Sequence, residues 1–245
     1  MPSQQFTTPR PVRVSVTVPS GDLQILTVDG DQSTVTVEGS EKTVEAMRVE
    51  LVGDRLVIEQ RRKSFVSFFD RFDGSLHVRA QVPHGSLVEI VTASGDAALE
   101  GDFGAVQAKS ASGDLVVTGE IAGSVNVNGV SGDVRLPHVA GDLSARTVSG
   151  HVVADSVDGS VTVKSVSGKV RIGLLRDGSV NVQSVSGDVD LGVAAGTRVD
   201  VDAGSASGAM SSEIPLADAP GSDAGPTVVI RSNSVSGDFH LFRAA

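Results

Sequence analysis

The sequence predicts an all-β fold, a single-chain β-solenoid of β-helix-like form with two short strands in each coil of about 18–19 residues. The first observation is a tripeptide that keeps returning, as Ser94-Gly95-Asp96, Ser112-Gly113-Asp114, Ser131-Gly132-Asp133, Ser186-Gly187-Asp188 and Ser236-Gly237-Asp238. Variants stand at Ser149-Gly150-His151, Ser167-Gly168-Lys169 and Ser207-Gly208-Ala209. The second is the period: from Gly95 to Gly187 the glycine spacings are 18, 19, 18, 18 and 19 residues. A fixed period of this length marks a solenoid, whose coils bury apolar side chains only against their neighbours. The third is alternation between the corners. In Val161-Thr162-Val163-Lys164 and Val170-Arg171-Ile172, β-branched residues alternate with polar ones, the pattern of a strand with one buried face.

Residues 1–90 read as an atypical N-terminal β region and cap, continuous with the solenoid. Strands are expected over 12–18, 23–28, 34–37, 44–51, 56–59 and 76–82, with Gly53-Asp54 as a hairpin signal. Pro19-Ser20-Gly21-Asp22-Leu23 reads as a degenerate copy of the corner. The repetitive solenoid then occupies 91–245, with a flexible loop at 213–226 where three prolines break the rhythm. A terminal rung needs a cap, since its open edge would otherwise recruit other strands.

Within the repeats, Gly104, Gly123, Gly141, Gly159, Gly178 and Gly196 mark a second corner about nine residues after the first. Stacked coils place equivalent positions in columns about 4.8 Å apart, so eight corners make a rod roughly 35–40 Å long. The expected inner columns are Leu115, Val134, Val152, Val170, Val189 on one wall and Val125, Leu143, Val161, Val180, Val199 on the other. A third is expected just before the Ser-Gly corner: Ala111, Val130, Val148, Val166, Val185 and Val235. If internal, Val166→Asp would bury an unpaired carboxylate and uncouple the array. Asn126, Asn128, Arg135, Arg146, Thr162, Lys164, Arg171, Asn181, Gln183, Asp190 and Asp200 point outward as a mixed polar face. The corner aspartates read as turn chemistry, accepting local backbone N–H bonds. Calcium fits less well, because each nine-residue unit has a single glycine and two rungs carry His151 or Lys169 instead of Asp.

The formal charge is −10; residues up to 80 hold 11 acids and 10 bases, the remainder 19 and 10, so the excess lies on the repeats. That balance argues against nucleic acid, whose binders neutralise phosphates with Lys and Arg. There is no cysteine, which removes thiolate metal sites and Cys nucleophiles. The first 18 residues contain Pro2, Pro9 and Pro11 and no apolar run, so the sequence predicts no leader, no transmembrane segment and a cytoplasmic location. His77, His84, His138, His151 and His240 are scattered, without metal-ligand spacing or evident carboxylate partners, and no Gly-x-Ser-x-Gly elbow occurs. The expectation is a non-enzyme with no metal and no cofactor.

The early Val18-Pro19-Ser20-Gly21-Asp22-Leu23, the passage Val82-Pro83-His84-Gly85-Ser86-Leu87 leading into Ser94-Gly95-Asp96, and the serial Val-Ser-Gly-Asp-Val units of 130–134 and 185–189 carry a resemblance. The chain resembles the bacterial putative-adhesin family, also called toast-rack or β-strand-repeat proteins, a domain of unknown function. The resemblance covers nearly the whole chain. It implies a β-solenoid, and by the family's name and its relatives beside envelope-stress proteins, an adhesin-like role without established catalytic residues.

The expected function is a scaffold or adhesin-like interaction module that binds a protein or polymer partner. The alternatives are a self-associating, cytoskeletal-type filament and a polysaccharide-active β-helix enzyme. The corner glycines Gly95, Gly113, Gly132, Gly150, Gly168, Gly187, Gly208 and Gly237 are structural. The candidate docking element is Arg61, Arg62 and Lys63 followed by Phe65, Phe68, Phe69 and Phe72, spaced as one helical face. It reads either as a cap over the first rung or as a contact for a partner groove or, weakly, a membrane surface.

Overall fold

A computed structural model of the protein describes residues 3–61, 76–214 and 226–244. In chain order the first part holds β1 (Ser3–Thr7), β2 (Arg13–Ser20), β3 (Asp22–Val28), β4 (Gln32–Glu38), α1 (Glu41–Ala46), β5 (Met47–Val52), β6 (Arg55–Gln60), β7 (His77–Pro83), β8 (Ser86–Ser94) and β9 (Ala97–Glu100). The middle holds β10 (Phe103–Ser112), β11 (Leu115–Thr118), β12 (Glu120–Ile121), β13 (Val125–Gly129), β14 (Val134–Val139), β15 (Leu143–Ser149), β16 (Val152–Val157), β17 (Val161–Ser167) and β18 (Val170–Leu175). The last part holds β19 (Gly178–Ser186), β20 (Val189–Val193), β21 (Arg198–Ser207), β22 (Met210–Ser212), β23 (Thr227–Ser236) and β24 (Phe239–Arg243).

The strands stack as two parallel walls. Wall A runs β6-β2-β8-β10-β13-β15-β17-β19-β23-β21. Wall B runs β7-β3-β9-β11-β14-β16-β18-β20-β24-β22. Ten rungs at nine spacings give a rod of about 43 Å. The β-solenoid read from the repeats is the fold of this chain, with two strands to a coil.

Both ends depart from sequential stacking. The first coil, β2 with β3, lies between the β6–β7 rung and the β8–β9 rung. The last coil, β23 with β24, is inserted between β19–β20 and β21–β22. Consequently Val180 aligns with Ile230 and then Val201, and Val199 is not in the column assigned to it. At the N-terminal end β5 pairs antiparallel with β6, β4 with β7, and β1 with β4. The strand expected over 44–51 begins as helix α1, because Ser40 caps it, accepting the Thr43 N–H at 3.3 Å, and Glu41 favours the first turn.

The two main inner columns are as expected: Leu115, Val134, Val152, Val170 and Val189 are buried, as are Val125, Leu143, Val161 and Val180. The third is not. Val130, Val148, Val166, Val185 and Val235 are 46–57 % exposed. The strands of wall A are longer than expected, and β17 carries its alternation through to Ser167, so Val161, Val163 and Ser165 point in while Val166 must point out. The real third column sits at the other corner. Phe103, Ile121, Val139, Val157, Leu175 and Val193 align in register and are at most 1 % exposed.

The Ser-Gly corner stacks backbone on backbone. Gly150 has φ +139°, and a Cβ there would lie 2.1 Å from the Gly132 carbonyl oxygen. The column begins at Gly21, which lies against Gly95, and closes with Gly237 against Gly187 and Gly208 against Gly237. Beside it runs a polar ladder. Asp96 Oδ1 accepts the Asp114 N–H at 2.9 Å, Asp114 Oδ1 that of Asp133 at 2.7 Å, and Asp133 Oδ1 that of His151 at 2.9 Å. His151 substitutes for Asp by accepting the Lys169 N–H through Nδ1 at 2.9 Å. The corner carboxylates therefore satisfy the next rung rather than their own turn, which also offsets their mutual repulsion of roughly 1 kcal/mol.

Candidate interaction face

Alternation on wall A sends every second side chain outward, and parallel register lines those side chains up in columns. One outward column is Gln107, Asn126, Ser144, Thr162, Asn181 and Arg231. The next, two residues along each strand, is Lys109, Asn128, Arg146, Lys164, Gln183 and Asn233. The third is the exposed ridge of Ala111, Val130, Val148, Val166, Val185 and Val235. Over these six rungs the outward columns carry four cations and no acid, on a chain whose formal charge is −10.

Lys109, Arg146, Lys164 and Arg231 form no ion pair or hydrogen bond with any described residue. Arg146 and Lys164 are direct register partners on adjacent rungs. Two like charges one rung apart repel by about 1 kcal/mol in water, a cost that an anion lying between them would remove. The amides are only partly used: Asn128 Nδ2 donates to Asn126 Oδ1 at 2.7 Å, leaving the Asn126 NH2 and the Asn128 carbonyl oxygen facing solvent.

Wall B is different in kind, with acids among its cations and several of them paired. Arg135 meets Asp133 at 2.8 Å, Lys169 meets Asp190 at 2.6 Å, and His138 Nε2 and Arg176 both reach Asp158 at 2.8 Å. The Asp158 carboxyl is held below the usual carboxylate range, first by the His138 hydrogen bond and then by Arg176, against the burial that pushes it up. Four of the five histidines, all but His151, do have carboxylate partners. His77 lies 3.3 Å from Asp22, His84 3.5 Å from Asp102, and His240 3.6 Å from Glu213. Those partners were invisible in sequence because they come from other coils: His138 and Asp158 are 20 residues apart and one rung away.

A groove of about 550 Å³ lies where β4 stands over the first rungs of wall B, lined by Asp22, Glu38, His77, Arg79, Asp96 and Asp114. Most of its charges are engaged internally: Asp22 with His77, Arg79 Nε donating to Gln24 at 2.8 Å, and Asp96 and Asp114 in the corner ladder. Among the described residues no cluster of His, Asp or Glu could hold a metal ion, and no helix is long and apolar enough to cross a membrane. Arg61 donates its backbone N–H to Ala46 O at 2.7 Å. The rest of the docking element, Arg62 to Phe72, lies outside the described residues, as does most of the 213–226 loop.

The outward residues named from sequence thus divide between two surfaces. Asn126, Asn128, Arg146, Thr162, Lys164, Asn181 and Gln183 belong to wall A, whereas Arg135, Arg171 and Asp190 belong to wall B. Asp200 sits on the terminal strand beside Val229. Merged, they read as a mixed face; separated, six consecutive rungs of wall A carry no outward acid, with Glu89 and Asp202 in the same column on the rungs at either side. The valine ridge was missed outright, although counting the alternation past Lys164 would have found it.

A model of the family described as Toastrack DUF4097 matches residues 12–242. The chain belongs to the Toastrack family. No curated protein matches it. Among solved structures, a putative adhesin from Parabacteroides distasonis shares the Toastrack architecture, with a TM-score of 0.54, 12% identity, and coverage of 98% of this chain and 96% of that one. A putative adhesin from Bacteroides fragilis matches with a TM-score of 0.45 and 11% identity, over 97% of this chain and 95% of that one. A putative lipid binding protein, also from Parabacteroides distasonis, matches with a TM-score of 0.40 and 11% identity, over 100% of this chain and 96% of that one. At 12% identity the likeness to the first of these is one of fold alone.

Proposed function

We propose that this Toastrack chain is a non-enzymatic, adhesin-like interaction module that holds an extended partner along wall A. The single observation behind it is a six-rung stretch of wall A, free of outward acids, that presents unpaired cations, amides and valines on an otherwise acidic molecule. Unpaired like charges and half-exposed valines gain nothing for the fold from being there, and both gain from a partner. The putative-adhesin name of the structural relative that shares the architecture is consistent with adhesion, and wall B, where acids lie among the cations, supplies no comparable contact.

The absence of cysteine permits a face-specific test. A photo-crosslinker on Asn128→Cys should capture a defined partner from native lysate, and one on Val153→Cys of wall B should not. Capture should vanish when Arg146→Glu and Lys164→Glu are added. Equal capture from both walls, or capture indifferent to the charge reversal, overturns this reading.

A further inference from the structure

Resting on that reading, we infer that the partner is a linear acidic glycan, with sparse carboxylates along a hydroxyl-rich chain, lying parallel to the rod axis on wall A. Three features select it. The cations are sparse and spread along the axis: Lys109, Arg146, Lys164 and Arg231 occupy the first, third, fourth and sixth of six rungs. Gaps of two rungs are about 10 Å, the span of two linked sugar rings. A polyphosphate carries its charge far more densely and would leave most of it unanswered.

The groups between the cations are amides and hydroxyls, which both donate and accept hydrogen bonds. A sugar hydroxyl does the same. A surface evolved for phosphate or carboxylate alone needs donors only, and would not place Asn126, Asn181 or Gln183 between its cations. The valine ridge adds an aliphatic strip for the C–H face of a ring.

Area argues against a folded protein as the occupant. The three columns form a strip about 24 Å by about 13 Å between Cα atoms, narrow beside the broad patch of ~800 Å² per partner that a stable protein–protein interface covers. A ribbon-shaped ligand fits that footprint. An acidic peptide adding as a β-strand would need an open edge, and every wall A strand over these six rungs has a neighbour on both sides.

The test is fluorescence anisotropy at low ionic strength with labelled hyaluronan oligosaccharide, which carries one carboxylate per two rings, polyglutamate and polyphosphate of equal length, and a neutral malto-oligomer. The hyaluronan oligosaccharide should bind about ten-fold or more tighter than the other anions, and the neutral oligomer not at all. Arg146→Gln with Lys164→Gln should weaken it by about ten-fold or more. Asn126→Ala with Asn181→Ala, at unchanged charge and with an unchanged melt, should weaken it several-fold. Equal binding of polyglutamate or polyphosphate, or no effect of the amide changes, overturns the glycan assignment in favour of bare charge. If no oligomer binds while crosslinking at position 128 still captures a charge-dependent partner, the glycan falls and the face stands; loss of both removes the face as well.

Discussion

A Cβ on Gly150 has nowhere to go: it would meet the Gly132 carbonyl oxygen at 2.1 Å, at a φ of +139° that side chains rarely adopt. Gly150→Ala should therefore cost on the order of 2–4 kcal/mol by urea denaturation. Gly196→Ala, also at positive φ but with open space around it, should cost only the conformational strain of about 1–2 kcal/mol. Equal losses would mean that conformation, and not stacking, selects glycine. The valine columns give a second contrast. Val166→Asp, on the exposed ridge, should shift stability by no more than about 0.5 kcal/mol, whereas Val163→Asp, buried at 0 % exposure, should abolish cooperative melting. Asp158 offers a third. Its folded pKa lies below the ordinary 3.8 because of His138 and Arg176, so its stabilisation is complete above that value and is lost as pH falls through the lower folded one. With 37% of the side chain exposed, the effect stays below about 1 kcal/mol. Asp158→Asn should lower the melting temperature slightly at pH 7 and converge with the parent protein as pH falls through the lowered folded pKa. A gap unchanged by acid would assign the loss to packing.

At the scale of elements, the unexpected feature is the order of the last coils. β23 and β24 fill the slot between two coils that precede them in the chain, so Asp238 N–H donates to Asp188 Oδ1 across 50 residues, and Asp238 Oδ1 in turn accepts from Ala209 N–H. β21 and β22 have no described strand partner except this inserted coil. Truncation after Ile214 should therefore release β21 and β22, and their amides should exchange as unfolded ones while β15 to β18 stay protected. Protection of β21 in the truncated chain would show that it can restack directly on β19. Nothing in the sequence announces the swap, because both coils carry equivalent corners, Ser207-Gly208 and Ser236-Gly237, and either would fit the slot locally.

For the whole molecule, a filament requires ends that continue one another. The N-terminal rung is overlaid by antiparallel β5 and β4, with β1 beyond, while the C-terminal rung is the parallel pair β21 and β22, where Val199, Val201 and Ala203 are only partly buried. Mismatched ends favour a discrete particle with a working side over an end-to-end polymer. Light scattering should give one mass across concentration and salt. A mass that climbs with concentration would restore the filament.

The repeat spacing determined the solenoid, its two main inner columns and the glycine corner, because each depends on local rules: a period of 18–19 residues, alternation within strands, and a backbone too closely stacked for a side chain. Three things were decided only in three dimensions. Which coil stacks on which is a choice among near-identical rungs, so the inserted β2–β3 and β23–β24 coils left no sequence signal. The pairing of His138 with Asp158, and of Lys169 with Asp190, joins residues about one coil apart. The third is the candidate face itself. Lys109, Arg146, Lys164 and Arg231 are scattered through an acidic sequence, and only the parallel register gathers them on six rungs of one wall that carry no outward carboxylate.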